Sequence, residues 1–194
     1  MPDNSPRQQL LDAAIDYVSA NGLGDASLRS LAAALGTSHR MLIFHFGSKG
    51  ELWTEIVRAV EQRQRERLHE LVLDLGRPTR EVLWRWWKHI SDPSLWPNER
   101  LFFELYGQAV QGRPHTSEFL DGIVQDWVEP VAQANVAVGL PEPLARAHAR
   151  LGVAVVRGLL LDLLATGDTD GVDAAMLAFI DLELAWAEQA AQGP

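Results

Sequence analysis

The sequence predicts an all-α protein. Apolar residues recur at spacings of three and four along almost the whole chain, which is the spacing of one face of an α-helix, and no run of alternating apolar and polar residues indicates a strand. Clusters of glycine and proline divide the chain into segments of helical length. With 194 residues, 47% of them apolar, the chain is long enough for one domain or two small ones. The absence of cysteine excludes a disulfide scaffold and thiolate chemistry.

Three short helices are predicted at the N-terminus. Ser5-Pro6 has the residue types of a helix start, a capping hydroxyl followed by proline. The apolar face of this first helix comprises Leu11, Ala14, Ile15 and Val18. A second helix follows Ser27 and ends at Gly36, and its core-facing residues are Leu28, Leu31 and Leu35. Ser38 can cap a third helix, which is expected to run roughly to Phe44.

A long helix is predicted next, starting at the capping-box spacing of Ser48 and Glu51. Its apolar stripe is interrupted by the polar run 61–67, returns afterwards and stops before 76–78. A helix that is apolar at both ends and polar in the middle is typical of a bridge between two packed units. A single long amphipathic helix with surface ion pairs is the alternative.

The last two predicted helices, at about 143–165 and 172–191, have more apolar surface than one core can cover. Residues 151–165 contain only two charged side chains, and 172–191 contain two separate apolar stripes. An identical chain is the most economical partner for the second stripe, so we expect a homodimer. The predicted interface residues are Val156, Leu159, Leu163, Leu177, Ile180 and Leu184.

The charge distribution singles out one region of an acidic chain. The net charge is −9, yet no acidic residue lies between Asp25 and Glu51, a window that holds three cations and two histidines. Cations without neighbouring carboxylates suit a phosphate backbone, so this window is the place where DNA could bind. A chance fluctuation in composition would produce the same window.

Residues 27–46 read SLRSLAAALGTSHRMLIFHF, a helix, a glycine turn and a capped helix. This layout sets two helices at a steep angle and is that of a helix-turn-helix. The motif and the segment that follows it, Leu42 to Leu52, resemble the TetR family of transcriptional regulators, whose members commonly show an L-Y-x-H-F-x-S-K-x-E-L pattern there. Ile43 stands at the aromatic position of that pattern, so the phosphate contact that the resemblance implies there is lost.

The DNA contacts are expected from the third helix and its flanks. The N-terminal residues of such a helix enter the major groove, where arginine can bind guanine and histidine can bind a base edge. A lysine at the start of the next helix adds to the attraction of free amides for phosphate. The predicted DNA-binding residues are Arg29, Thr37, Ser38, His39, Arg40, His45 and Lys49. Capping, core packing and plain surface charge are the alternative roles of these side chains.

Aromatic residues concentrate between residues 79 and 138. Apolar cavities with a few polar groups bind small ligands, and the resemblance implies an effector pocket in this part of the chain. The predicted ligand-binding residues are Trp84, Trp87, Phe103, Glu104, Tyr106 and Trp127. Filling of a helical core accounts equally well for about half of these aromatics.

Together these features predict a helix-turn-helix domain at 1–52 and an effector-binding and dimerisation domain at 53–194. We expect a cytoplasmic, homodimeric DNA-binding regulator, a repressor released from a near-palindromic operator by a small hydrophobic or aromatic effector. A helical carrier or interaction protein that does not use its helix-turn-helix is the alternative. The spacing Glu66-x-x-His69 occurs in di-iron helices but has no second copy, so no enzyme, metal, cofactor or membrane partner is expected.

Overall fold

The computed structural model describes residues 5–21, 27–75, 79–113 and 117–191. These residues form nine α-helices and two short 3₁₀ turns, at Pro93–Leu95 and Ser117–Leu120, without a strand, which confirms the predicted all-α class. The helices are α1 Pro6–Asn21, α2 Leu28–Ala34, α3 His39–Phe46, α4 Lys49–Leu75, α5 Arg80–Ile90, α6 Trp96–Val110, α7 Gln125–Ala137, α8 Glu142–Thr166 and α9 Thr169–Ala191. The predicted helix stops at 22 and 76–78 lie outside the described residues.

No helix in the described parts of the chain has the length and the apolar character that crossing a bilayer requires.

Serine hydroxyls cap the N-termini of the first four helices, at the positions that the sequence predicts. The Oγ atom of Ser5 accepts the amide of Gln8, and the Oγ of Ser38 accepts the amide of Met41, both at 3.2 Å. Ser27 forms a capping box with Ser30, in which the hydroxyl oxygen of each residue accepts the backbone amide of the other. At α4 the Oγ of Ser48 accepts the Glu51 amide at 3.2 Å. Each cap satisfies an amide that has no partner inside its helix.

One compact unit consists of residues 1–63 and 93–121. The predicted apolar face of α1 is buried in its core, with the inward residues of α2, α3 and the first turns of α4. Helix α6 packs on α1, where the amide of Asn98 donates to Ser19 Oγ at 2.9 Å. Asn98 is only 5% exposed, so the hydrogen bond replaces the water that burial removes. This unit therefore includes a helix that lies far beyond the helix-turn-helix in sequence.

The second compact unit consists of residues 64–92 and 122–194. Helices α7 and α8 pack along each other, and α5 is tied to α9 by polar contacts. The indole N–H of Trp87 donates to Asp173 at 2.8 Å, and Lys88 pairs with the other oxygen of the same carboxylate. Arg80 binds Asp181 further along α9. The domain boundary predicted after residue 52 stays a prediction.

Two sequence-based expectations about burial are wrong. The sequence predicts that the polar run 61–67 of α4 is solvent-exposed all round. Glu61 is only 7% and Gln64 only 6% exposed, so one side of this polar segment is buried. In the predicted dimer surface, Leu163 and Ile180 are 2% and 1% exposed within the single chain. Both side chains are therefore covered by the chain itself, which leaves them little surface for a partner. The other four predicted interface residues are half-buried.

Candidate nucleic-acid interface

The turn between α2 and α3 has the geometry that its sequence predicts. Gly36 adopts a φ of 65°, a conformation that side chains with a Cβ disfavour. The amide of Thr37 donates to Ala32 O at 2.9 Å and that of Gly36 to Ala33 O at 3.2 Å, which satisfies the last carbonyls of α2. Ala32 is 2% exposed, as expected where two helices approach closely. These contacts fix the direction in which α3 leaves the turn.

Helix α3 is held by one face and open on the other. Leu42 and Phe46, one turn apart, are 1% and 4% exposed and anchor the helix in the core. Of the predicted base-contacting residues, Ser38, His39 and Arg40 are exposed at the N-terminal end of α3, and Thr37 is half-buried. The structure thus brings these four residues together at the N-terminal end of α3.

The predicted backbone contacts lie on the elements that flank α3. Arg29 is exposed on α2, and Lys49 is exposed in the first turn of α4, with its ammonium 5.8 Å from the centre of the Trp53 ring. His45 is half-buried near the end of α3, where its ring packs edge-on against Phe44 at 5.1 Å. All the predicted DNA-binding residues therefore belong to α2, α3, their turn and the start of α4.

Arg7 positions the C-terminal end of α3, a role that sequence reasoning missed. Its Nε donates to the carbonyl oxygen of His45 at 3.2 Å, and its guanidinium lies 5.1 Å from the centre of the Phe46 ring. The same guanidinium forms an ion pair with Glu55 of α4. One side chain from α1 thus links α3 and α4. No local signal could have revealed it, because its partners lie 38 and 48 residues away.

The outward side of α3 carries large apolar residues, and the exposure of Phe44 among them was not predicted from the sequence. Met41 is 41%, Ile43 38% and Phe44 77% exposed. A helical projection could have identified Phe44, since it lies about 180° around the helix from the midpoint of Leu42 and Phe46.

The predicted ligand-binding residues are divided between the two compact units. Phe103, Glu104 and Tyr106 of α6 belong to the first unit. The Tyr106 ring lies 5.5 Å from that of Phe102, and Glu104 is exposed and accepts a hydrogen bond from Gln108. Trp84, Trp87 and Trp127 belong to the second unit. Whether the six residues share one site stays a prediction.

Within the second unit, Trp86 and Trp127 are each 7% exposed, and Trp86 has a polar group that the described part of the fold leaves unpaired. The Trp86 and Trp127 rings lie 5.9 Å apart, and the guanidinium of Arg65 lies 5.6 Å from the centre of Trp127. Trp86 Nε1 is buried and has no hydrogen-bond partner among the described residues. Trp87 is also buried, but its indole N–H donates to Asp173, which accounts for this residue without a ligand. No group of three or more potential metal ligands occurs within the described segments.

Comparison with known proteins agrees with this arrangement. Residues 10–56 match the family model described as bacterial regulatory proteins, tetR family. No curated protein matches the chain.

Several solved structures are similar over nearly their whole length. A transcriptional regulator from Rhodococcus sp. RHA1 is 21% identical, with 93% of this chain and 96% of that one covered and a TM-score of 0.73. A regulator described as putative, from Saccharomonospora viridis in complex with choline, is 20% identical over 90% and 95% of the two chains, with a TM-score of 0.66. The multidrug binding protein EbrR, complexed with proflavin, is 23% identical over 92% and 99%, with a TM-score of 0.62.

The first of these structures is described as a transcriptional regulator and the second as a putative one. The family match covers the segment that contains α2, the turn and α3, and the shared fold covers more than nine-tenths of this chain in the first of these structures. Both findings confirm the predicted resemblance: residues 10–56 match the tetR family of bacterial regulatory proteins, and the chain has the fold of the transcriptional regulator from Rhodococcus.

Proposed function

We propose that this chain is a homodimeric repressor that binds a near-palindromic operator and leaves it when a small effector binds. The observation that carries the proposal is the exposure of Ser38, His39 and Arg40 at the capped end of α3, whose opposite face is anchored in the core. In a helix-turn-helix this end of the second helix enters the major groove. The predicted contacts are Arg29, Thr37, Ser38, His39, Arg40, His45 and Lys49.

The homodimer is supported by the exposed faces of α8 and α9. Exposed apolar or small residues follow one another in α8 at alternating steps of three and four, namely Leu144, Ala147, Leu151, Ala154, Gly158, Leu161 and Ala165. Helix α9 continues the pattern with Ala175, Ala178, Leu182 and Ala185. This spacing is that of a seam between helices, and small residues let backbones approach closely. We place the partner on this stripe, beside the half-buried Val156, Leu159, Leu177 and Leu184 of the original prediction.

The effector is proposed to be small and hydrophobic or aromatic. The aromatic side chains of α5, α6 and α7 support this, as does the buried Trp86 N–H. Two proteins of similar fold, a transcriptional regulator described as putative and the multidrug binding protein EbrR, were crystallised with choline and proflavin, so small organic molecules can occupy such folds. To move a dimer from 99:1 to 1:99 between DNA-binding and released forms, the effector must favour the released form by about 5.5 kcal/mol. A cytoplasmic location is part of the proposal, because the operator lies there.

The test is sequence-specific DNA binding by the full chain, measured by fluorescence anisotropy on duplexes selected from random DNA. Arg40→Ala is expected to weaken binding about 10- to 100-fold, since one bidentate guanine contact contributes about 1–3 kcal/mol. Arg85→Ala removes an exposed arginine from α5 and is the matched control, with unchanged affinity. Failure to select any duplex would overturn the proposal.

A helical ligand carrier is the second candidate, favoured by Ile43 at the phosphate-contacting position and by the net charge of −9. A thermal-shift screen of hydrophobic small molecules separates the two, because a ligand that binds only the folded state raises its melting temperature. A carrier gives shifts in this screen and no DNA complex, whereas the regulator gives both and its DNA complex weakens when the ligand is added.

A further inference from the structure

Phe44 is the centre of the outward face of α3. It is 77% exposed, the highest exposure of any large apolar side chain among the described residues. The helical repeat places it about 180° from the midpoint of Leu42 and Phe46, the two residues that anchor α3 in the core. An aromatic side chain of this size is normally buried in a core or an interface. Its position on the outermost side of α3 therefore indicates a binding surface.

The neighbours of Phe44 define what that surface complements. Met41 and Ile43 are 41% and 38% exposed, so the apolar area extends along the same helix. Arg40 lies one turn before Phe44 on the same side and is exposed. No carboxylate occurs between residues 25 and 51 to oppose a polyanion. This arrangement complements the major groove. A cation such as Arg40 can bind the acceptors of guanine, and an apolar group such as Phe44 can contact the C5-methyl group of thymine.

The dimensions of α3 agree with this assignment. Its eight residues span about 12 Å, comparable to the width of the major groove. Arg40 and Phe44 are separated by four residues, a rise of about 6 Å, which corresponds to about two base-pair steps. Both side chains can therefore reach base edges of one half-site together.

We infer that Phe44 is a specificity-determining residue that contacts thymine C5-methyl groups, and that the Arg40–Phe44 pair selects guanine and thymine within about two base pairs of each other. The inference rests on the proposed function and deepens it by naming the operator chemistry. The alternatives are that the Phe44 ring contacts only deoxyribose, or that it contacts a second protein surface.

The experiment measures the affinity of the full chain for a duplex selected from random DNA. Each thymine is replaced in turn by deoxyuridine, which removes the methyl group and leaves the hydrogen-bonding edge unchanged. At one or two positions in each half-site the wild type is expected to bind about fourfold more weakly, the loss of one buried methyl group. Phe44→Ala is expected to bind the thymine duplex more weakly and to be insensitive to deoxyuridine at those positions.

Two controls make the result specific. Val110→Ala truncates another exposed apolar residue, 65% exposed on α6, and is expected to keep both the affinity and the deoxyuridine profile of the wild type. Because Phe44 contributes little to the core, Phe44→Ala is expected to retain the thermal midpoint and the mass of the wild type in solution.

The outcomes separate the inference from the function it rests on. A selected duplex whose affinity is indifferent to deoxyuridine at every thymine overturns the thymine contact and leaves the regulator standing. A lower molecular mass for Phe44→Ala also overturns it, because the ring would then bind a second copy of the chain. If the wild type selects no duplex at all, the proposed function itself fails.

Discussion

Replacing Gly47 by alanine tests whether the connection between α3 and α4 stores the strain that its geometry indicates. Gly47 has a φ of 75° and a ψ of −76°, and the Ser48 amide donates to Phe46 O at 2.9 Å across it. This is a γ-turn of the hand that L-residues disfavour. A Cβ at Gly47 would also overlap the carboxylate of Glu51, which is the flexible end of an exposed side chain and can move aside.

The expected cost is therefore the backbone strain alone, about 2 kcal/mol for a residue held in a sparsely populated region. In a chain of this size that lowers the melting temperature by about 4–8 °C, measured by circular dichroism. Gly107→Ala is the matched control in the same unit. Gly107 lies within α6, where a Cβ meets no atom within 4 Å, so alanine should stabilise by about 0.5–1 kcal/mol. A Gly47→Ala midpoint equal to or above that of the wild type would refute the reasoning.

Three further predictions follow from contacts within each unit. Arg7→Ala removes the link between the end of α3 and α4 and is expected to weaken DNA binding several-fold. Arg7→Lys should restore only part of it, because an ammonium lacks the planar fork of guanidinium; equal affinity of all three forms in anisotropy titrations would contradict a positioning role. Leu161→Glu places a charge on the exposed stripe of α8 and is expected to convert dimer to monomer in light scattering. Leu163→Ala, inside the core, should instead lower stability by about 2–5 kcal/mol, and retention of the dimer by Leu161→Glu would rule out this stripe. Burial raises the pKa of Glu183 above its ordinary value near 4.5, although His148 at 3.4 Å opposes the shift. The folded state thus holds this proton more tightly than the unfolded state, so ionisation lowers stability as the pH rises through and above 4.5. Glu183→Gln should be more stable than the wild type at pH 7 and equal to it below pH 4.5; lower stability at pH 7 would mean that pairing with His148 outweighs burial.

The parts of the fold that depend on local chemistry could be predicted from the sequence. Ser38 caps α3 because its hydroxyl reaches an amide three residues on, and this needs nothing from the rest of the chain. The face of α1 that is buried follows from spacing alone, and all four predicted residues are in the core. Helix α3 runs two residues beyond the expected end, because the turn at Gly47 and not the change in composition terminates it.

The parts of the fold that depend on tertiary contacts could not be predicted from the sequence. The role of Arg7 requires two partners that are distant in sequence. The burial of Glu61 in a run of polar residues depends on which helices pack against α4. In α9, two apolar stripes were recognised, yet only the packed structure shows that Ile180 faces the chain's own core while Leu182, in the other stripe, is 45% exposed. The candidate site is a different case, since motif matching finds Arg40, whereas Phe44 would have required a helical projection of the same segment.

The hydrogen bonds between Asn98 and Ser19 mean that the unit containing the helix-turn-helix cannot be isolated by cutting the chain at a single point. Helix α6 returns after the excursion through residues 64–92 to complete the body that presents α3. A fragment ending at residue 63 would expose the side of α1 that packs against α6. Such a fragment is expected to be unstable and to aggregate. A molecule that binds against Phe103 or Tyr106 would accordingly contact the same compact unit as the proposed DNA-binding helix α3, so its effect would not have to pass through the second unit.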